Sequence, residues 1–235
     1  GSEMCIRDSY GMEKEVVTGI VQRVMGKNVS INLGKADAIL AENEQVRGEE
    51  FHPTEHIKVY ILEVKDTPKG PRIQVSRTHP GLVKRLFESE VAEVRDGTVE
   101  IKSIAREAGS RTKIAVWSND PDVDAVGACV GMNGARVGAV VNELHGEKID
   151  IINWDENPAI LIENALSPAK VIAVMADPEE KTALVVVPDY QLSLAIGKEG
   201  QNARLAARLT GFKIDIKSET CLLYTSDAAD DRISV

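Results

Sequence analysis

The chain has 235 residues, 43% hydrophobic and 28% charged, enough apolar material for two or three small cores. No run of about 18 apolar residues occurs, which excludes a transmembrane helix, and no basic-then-apolar segment opens the chain, so a cytoplasmic protein is expected. The formal net charge of -9 taken alone speaks against a nucleic-acid partner, because phosphate binding ordinarily goes with a basic excess.

The charge is unevenly spread. Residues 197–213 hold Lys198, Arg204, Arg208 and Lys213 against Glu199 alone, a basic patch in an acidic protein. Cys5, Cys129 and Cys221 stand far apart with no C-x-x-C pair, which excludes a disulfide framework or a thiolate zinc site. The two ends, 1–11 and 218–235, read as foreign tails. Gly1-Ser2 resembles a tag-cleavage scar, and residues 3–10 and 220–235 show no helical or strand period and resemble translated adaptor sequence.

Residues 12–80 contain five short runs rich in Val and Ile, at 16–24, 29–33, 37–40, 57–64 and 72–76. They are punctuated by Gly26, Gly34, Gly48, Pro68, Gly70 and Pro71. Five strands without a convincing helix predict a small closed barrel of OB type.

The rest of the chain repeats itself. Gly131-Met132-Asn133-Gly134 is followed by ARVGAVVNELHGE and KIDI, and about 65 residues later Gly197-Lys198-Glu199-Gly200 is followed by QNARLAARLTGF and KIDI. Upstream of each lie two β-branched runs, 99–104 with 113–117 and 171–175 with 183–187. A helical stretch precedes each pair, 82–91 and 159–166. Each copy therefore predicts helix, strand, strand, short helix, G-x-x-G, helix, strand. The second repeat extends over 155–217 and the first over 81–154.

A G-x-x-G loop between helices suits a sugar-phosphate backbone. Glycine permits a tight turn and close approach of a phosphate to main-chain N–H groups, and the next helix presents its unpaired N–H groups and positive dipole end. In the second copy Lys198 adds a point charge at the tip. Arg204 and Arg208, four apart, share one helix face, while Ala203, Ala206 and Leu209 are placed on the face that packs against the sheet. Copy one has an uncharged tip, Met132-Asn133, with Arg136 nearby. Aromatic residues make up only 4%, so bases would be read through aliphatic grooves beside the loops, with Val130 and Ile196 as candidates. The barrel offers only Phe51 and Tyr60 for stacking, which predicts a weak grip on RNA.

One pattern points elsewhere. His52-Pro53-Thr54-Glu55-His56 fits H-x-x-E-H, but zinc chemistry there needs a sustained helix, and Pro53 followed by a strand predicts a turn. His79 and His145 are isolated, and Cys129 sits in the apolar run AVGACV as a small core residue. No G-x-x-x-x-G-K-[ST] or G-x-S-x-G motif occurs, so no catalytic residue, metal or cofactor is expected.

Segment 12–217 resembles the NusA family of bacterial transcription termination/antitermination factors. The likeness is carried by AIGKEGQNARLAARLTGFKIDI (195–216), VGACVG (126–131), NELHGEKIDI (142–151), SRTHPGLVKRLFESEV (76–91) and VEIKSIAREAGSRTKIAV (99–116). It implies a multidomain chain, an all-β OB-type S1 barrel followed by two α/β type II KH domains, with the KH pair binding single-stranded RNA as one surface. By position, the implied RNA contacts are Gly131, Met132, Asn133 and Gly134 with Arg136, and Ile196, Gly197, Lys198, Glu199 and Gly200 with Asn202, Arg204 and Arg208. RNA polymerase and other Nus factors are the implied partners, and a monomer away from membranes is expected. The family's N-terminal polymerase-binding domain has no counterpart in the matched segment. Asn133 stands where the family's first loop carries a basic residue, and Ala41, Ala92 and Ala125 replace family prolines. The alternatives are an S1/KH piece of an RNA-degradation complex, which typically has one KH domain, and a protein-interaction scaffold without RNA affinity.

Overall fold

The computed structural model of the protein describes residues 11–230; the readings made for 1–10 and 231–235, Cys5 included, lie outside them. Five strands, β1 (Val16–Met25), β2 (Asn28–Asn32), β3 (Asp37–Leu40), β4 (His56–Thr67) and β5 (Gly70–Ser76), close into a barrel in the order β1-β2-β3-β5-β4. β1 pairs antiparallel with both β2 and β4, and only β3 and β5 run parallel. Alternate residues point inward, so Val29, Ile31, Ala38, Leu40, Ile57, Val59, Ile61, Ile73 and Val75 form one core. Register shifts at Val21/Arg23 and Ile61/Glu63 bend β1 and β4, which closure of so small a barrel requires.

The first repeat follows as α1 (Pro80–Glu90), α2 (Ala92–Arg95), β6 (Val99–Glu107), β7 (Arg111–Ser118), α3 (Ala125–Val130), the first loop, α4 (Ala135–Glu143) and β8 (Lys148–Asn153). The second is α5 (Pro158–Ala165), β9 (Ala173–Asp177), β10 (Thr182–Val187), α6 (Leu192–Ile196), the second loop, α7 (Gln201–Thr210) and β11 (Lys213–Ser218). The two sheets have matching orders, β6-β7-β8 and β11-β10-β9. β10 pairs parallel with β11 and antiparallel with β9, the mixed sheet of a type II KH domain. Strand β9 starts two residues later than its Val/Ile run. Its register is set by the turn that follows, where the Asp177 carboxylate accepts from the N–H groups of Glu179 and Glu180.

The described residues pack as two compact units: residues 11–96 with 106–111 and 129–148, and residues 97–105 and 112–128 with 149–230. Buried charge organises the first. Arg77, 1% exposed, donates to Glu49 Oε1 at 2.7 Å, to the Lys58 carbonyl at 2.8 Å and to the Glu143 carbonyl at 3.1 Å. Arg106 grips the fully buried Glu147 with two nitrogens, each at 3.1 Å, and Gly109 N–H donates to the same carboxylate at 2.6 Å. His79 caps α1, its Nδ1 accepting from Gly81 N–H at 2.9 Å while its ring stacks on Tyr60 at 4.4 Å. Burial lowers the His79 pKa, with Arg106 adding to the effect and Glu44 opposing it.

The second unit packs Leu161, Ile162 and Leu166 against Val185, Val187, Leu205 and Leu209, with Trp154 at the edge of that core. Lys113 is wholly buried. Its Nζ donates to the Ser167 carbonyl at 2.8 Å and lies 3.2 Å from the Asp150 carboxylate. Contrary to the aperiodic reading of the tail, Glu219–Asp230 forms a helix, α8. Ser218 acts as its cap, accepting from Cys221 N–H, and Thr220 donates N–H and hydroxyl to the Asp189 carboxylate, which these bonds hold below the usual range. Among the described residues no helix is long and apolar enough to cross a membrane.

Candidate nucleic-acid interface

The two G-x-x-G loops adopt one backbone conformation. The φ/ψ values are 77/173° at Gly131 and 78/171° at Gly197, 55/27° at Asn133 and 56/25° at Glu199, and 74/18° at Gly134 and 75/12° at Gly200. The first glycine of each loop is needed twice over. Its dihedrals lie in a region that only glycine enters freely, and a Cβ there would come within 2.9 Å of the Arg136 nitrogen in one loop and 2.7 Å of the Asn202 nitrogen in the other. Each loop closes with a bond from the second glycine's N–H to the first glycine's carbonyl, at 3.2 and 3.1 Å.

Helices α4 and α7 start directly from the second glycines, and neither has a side-chain cap. With glycine at the cap position no capping side chain stands over these helix starts, the arrangement that favours an anion. Chain direction makes these helix starts; side chains decide what surrounds them. At the first loop Met132 projects with 84% of its surface exposed, Asn133 is exposed, and Val130 is half-buried. At the second, Lys198 and Glu199 are exposed at the tip and Ile196 is 37% exposed beside it. Arg204 and Arg208 stand exposed on one face of α7, as their spacing predicts. Arg204 also donates from Nη1 to the Glu199 carbonyl at 3.1 Å, so it braces the loop while facing solvent.

One expected contact, Asn202, is placed differently. Asn202 is only 3% exposed, and its Nδ2 donates to the carbonyls of Leu166 (3.1 Å) and Ala195 (2.9 Å), so it does not face a ligand. The reason is helical phase. The buried stripe of α7 is Asn202, Leu205, Ala206 and Leu209, at i, i+3, i+4 and i+7, which also leaves Ala203 half-buried instead of on the packing face. Arg136 is half-buried and donates to Glu93 at 2.8 Å. Sequence reading missed Tyr190, which is 78% exposed just ahead of α6. Its place beside the loop helix was legible in YQLSLAIGKEG, but its exposure was not.

The histidine motif forms no helical metal site. Residues 51–55 make a turn, with Glu55 accepting from His52 N–H at 3.2 Å, and His56 opens β4. Among the described residues no group of three or more His, Cys, Asp or Glu side chains is arranged to hold a metal ion. Cys129 is buried in α3.

Residues 77–154 match the family model of the NusA-like first KH domain, and residues 158–222 that of the NusA-like second KH domain. The transcription termination/antitermination protein NusA of Bacillus subtilis is 63% identical over 208 residues, covering 88% of this chain and 56% of that protein. Its counterpart in Mycobacterium tuberculosis (strain ATCC 25618 / H37Rv) is 50% identical over 216 residues, covering 88% and 62%. That of Thermus thermophilus is 50% identical over 203 residues, covering 86% and 52%. The chain thus spans little more than half the length of these relatives. A closed five-stranded barrel, two KH repeats in tandem and this degree of identity across them agree: the chain belongs to the NusA family.

Proposed function

We propose that the chain binds single-stranded RNA through its two G-x-x-G loops, and that it does so within a bacterial factor modulating transcription pausing, termination and antitermination. The observation that carries the reading is the repetition of one loop conformation ahead of two uncapped helix starts. A single such loop serves a helix turn equally well; the same dihedrals kept on different residues, Met-Asn in one and Lys-Glu in the other, point to a demand made by a common ligand. In this reading residues 12–80 are the S1 barrel, 81–154 the first KH domain and 155–217 the second, each KH domain clamping about four nucleotides.

The main chain of Gly131–Gly134 and Gly197–Gly200 holds the phosphates, Lys198, Arg204 and Arg208 supply charge, and Met132 and Ile196 line the way for bases. Asn133 and Glu199 serve through their backbone conformation. Tyr190 offers an exposed ring for stacking. RNA polymerase and other Nus factors are the protein partners the family resemblance supplies. A monomeric cytoplasmic binding protein without enzymatic activity completes the reading.

The test is fluorescence anisotropy with a labelled single-stranded RNA of about twelve nucleotides, long enough for both KH domains at about four each plus a linker. The parent protein is compared with a double variant, Lys198→Asp with Glu199→Asp, that makes the second loop repel phosphate. Binding by the parent and a large loss in the variant support the reading. No binding by a folded parent, or equal binding by both, refutes it.

A further inference from the structure

We infer that the residue five positions after the first glycine of each loop, Arg136 in one repeat and Asn202 in the other, is a positioning residue that ties the loop to its own repeat, and is not itself a contact to RNA. The inference rests on the RNA-binding reading above and assigns a different role to two of its candidate residues.

The two residues differ in size, charge and burial, yet occupy one place. Each is the second residue of the helix that follows its loop. Each lies beneath the first glycine, so close that a Cβ on that glycine would meet its backbone nitrogen. Each reaches from there to the segment directly after the first helix of its own repeat. Arg136 Nη1 donates to Glu93 of α2, which follows α1, and Asn202 Nδ2 donates to the carbonyl of Leu166, which follows α5. Asn202 bonds in addition to Ala195 on α6 and so spans the loop from one flank to the other.

Both side chains are directed at their own repeat. Asn202 has both amide hydrogens committed and almost no surface, so no phosphate can reach it. Arg136 extends its guanidinium to a carboxylate on its own repeat. The loops also need holding. Asn133 and Glu199 sit in the left-handed region, and the first glycines lie in a conformation that surroundings must enforce. A tether keeps that conformation before the ligand arrives, which is where preorganisation adds affinity. The rival account, in which Glu93 parks an arginine destined for phosphate, predicts the opposite sign on removing Glu93.

The deciding experiment titrates the chain with a fluorescein-labelled oligouridylate of about twelve nucleotides at several salt concentrations, sized to about four nucleotides per KH domain. Glu93→Gln, on a half-exposed pair that does not threaten folding, should weaken binding about threefold, in the range of a partly exposed ion pair. Its slope of log affinity against log salt should be unchanged. Tighter binding by Glu93→Gln overturns the inference, since removing a negative charge favours RNA unless the tether mattered more. The charge swap Glu93→Arg with Arg136→Glu should recover at least half of what Arg136→Glu alone loses; no recovery overturns it. Asn202→Ala should weaken binding about tenfold, the worth of two hydrogen bonds, again with the slope unchanged. For Arg136→Gln the slope should also be unchanged; a slope reduced by about 0.7 would mark a lost phosphate contact and overturn the inference. If the parent binds no RNA, the functional reading fails by itself. Amide hydrogen exchange then decides for the tether, with exchange at residues 131–134 faster in Glu93→Gln supporting it and unchanged exchange overturning it.

Discussion

Replacing the first glycine of the second loop should cost far more than replacing the second. In Gly197→Ala the new methyl group would sit 2.7 Å from the Asn202 backbone nitrogen and 2.8 Å from its Cβ, at a φ of 78°. The strained dihedral costs about 1–3 kcal/mol, and forcing a helix backbone aside costs about as much again, for a sum near 4 kcal/mol. In Gly200→Ala the nearest atom is the end of the Arg204 side chain at 3.9 Å, so only the left-handed conformation is charged against the variant, about 1–2 kcal/mol. The gap between the two is then about 2–3 kcal/mol, from the same principles. Urea unfolding followed by tryptophan emission measures it, because Trp154 packs on the core that holds α7 and Trp117 touches Trp154 edge-on at 5.7 Å. Equal losses in the two variants, or a larger loss in Gly200→Ala, would refute the claim that close approach of the helix start fixes the first glycine.

Glu199→Asn should raise both stability, by about 0.5–1 kcal/mol, and RNA affinity, since asparagine tolerates the left-handed region and a carboxylate leaves the loop tip; thermal unfolding and anisotropy check the two effects. Glu147→Gln should destabilise by about 3–5 kcal/mol, because Arg106 would be left buried without its counter-charge, and urea unfolding with a far-ultraviolet readout checks it. Acidification should loosen α1. The neutral His79 is the capping form and its folded pKa is depressed, so the stability it contributes is present above pH 6.5 and is lost as pH falls through the lower folded value. That loss is about 1 kcal/mol, the worth of a helix cap, and should vanish in His79→Asn when melting is compared at pH 7 and pH 5.

The barrel and both repeats could be read from sequence because their signals are local. Each Val/Ile run between 16 and 76 falls on a strand, the run 29–33 passing its end by one residue, and glycines and prolines mark the turns. The loops were legible for the same reason, since glycine at both ends of a four-residue stretch leaves few backbone solutions. Polar residues inside the structure were not. Asn202 looked like a surface residue by type, although counting back from Leu205, Ala206 and Leu209 puts it on the buried stripe. Arg136 and Glu93 lie 43 positions apart, and Arg77 and Glu143 lie 66 apart; nothing in either neighbourhood names the partner. The tail helix escaped because Ser218 capping and the bonds from Thr220 to Asp189 do not show as a hydrophobic period.

The charges buried around Arg77 bear on where the molecule can be divided. Chain order offers an inviting seam near residue 80, between barrel and first repeat, and a cloning experiment would place a stop codon there. Arg77 reaches across that seam to Glu143, and Lys58 N–H donates to the Glu143 carboxylate at 3.2 Å. Arg106, far along the first repeat, likewise donates to the carbonyl of His79 at 2.9 Å. A barrel expressed by itself would open a guanidinium and several main-chain groups to water on a face shaped to exclude it. Buried charge therefore joins the barrel to the helix that follows the first loop, and the seam in the sequence is a weld in the fold.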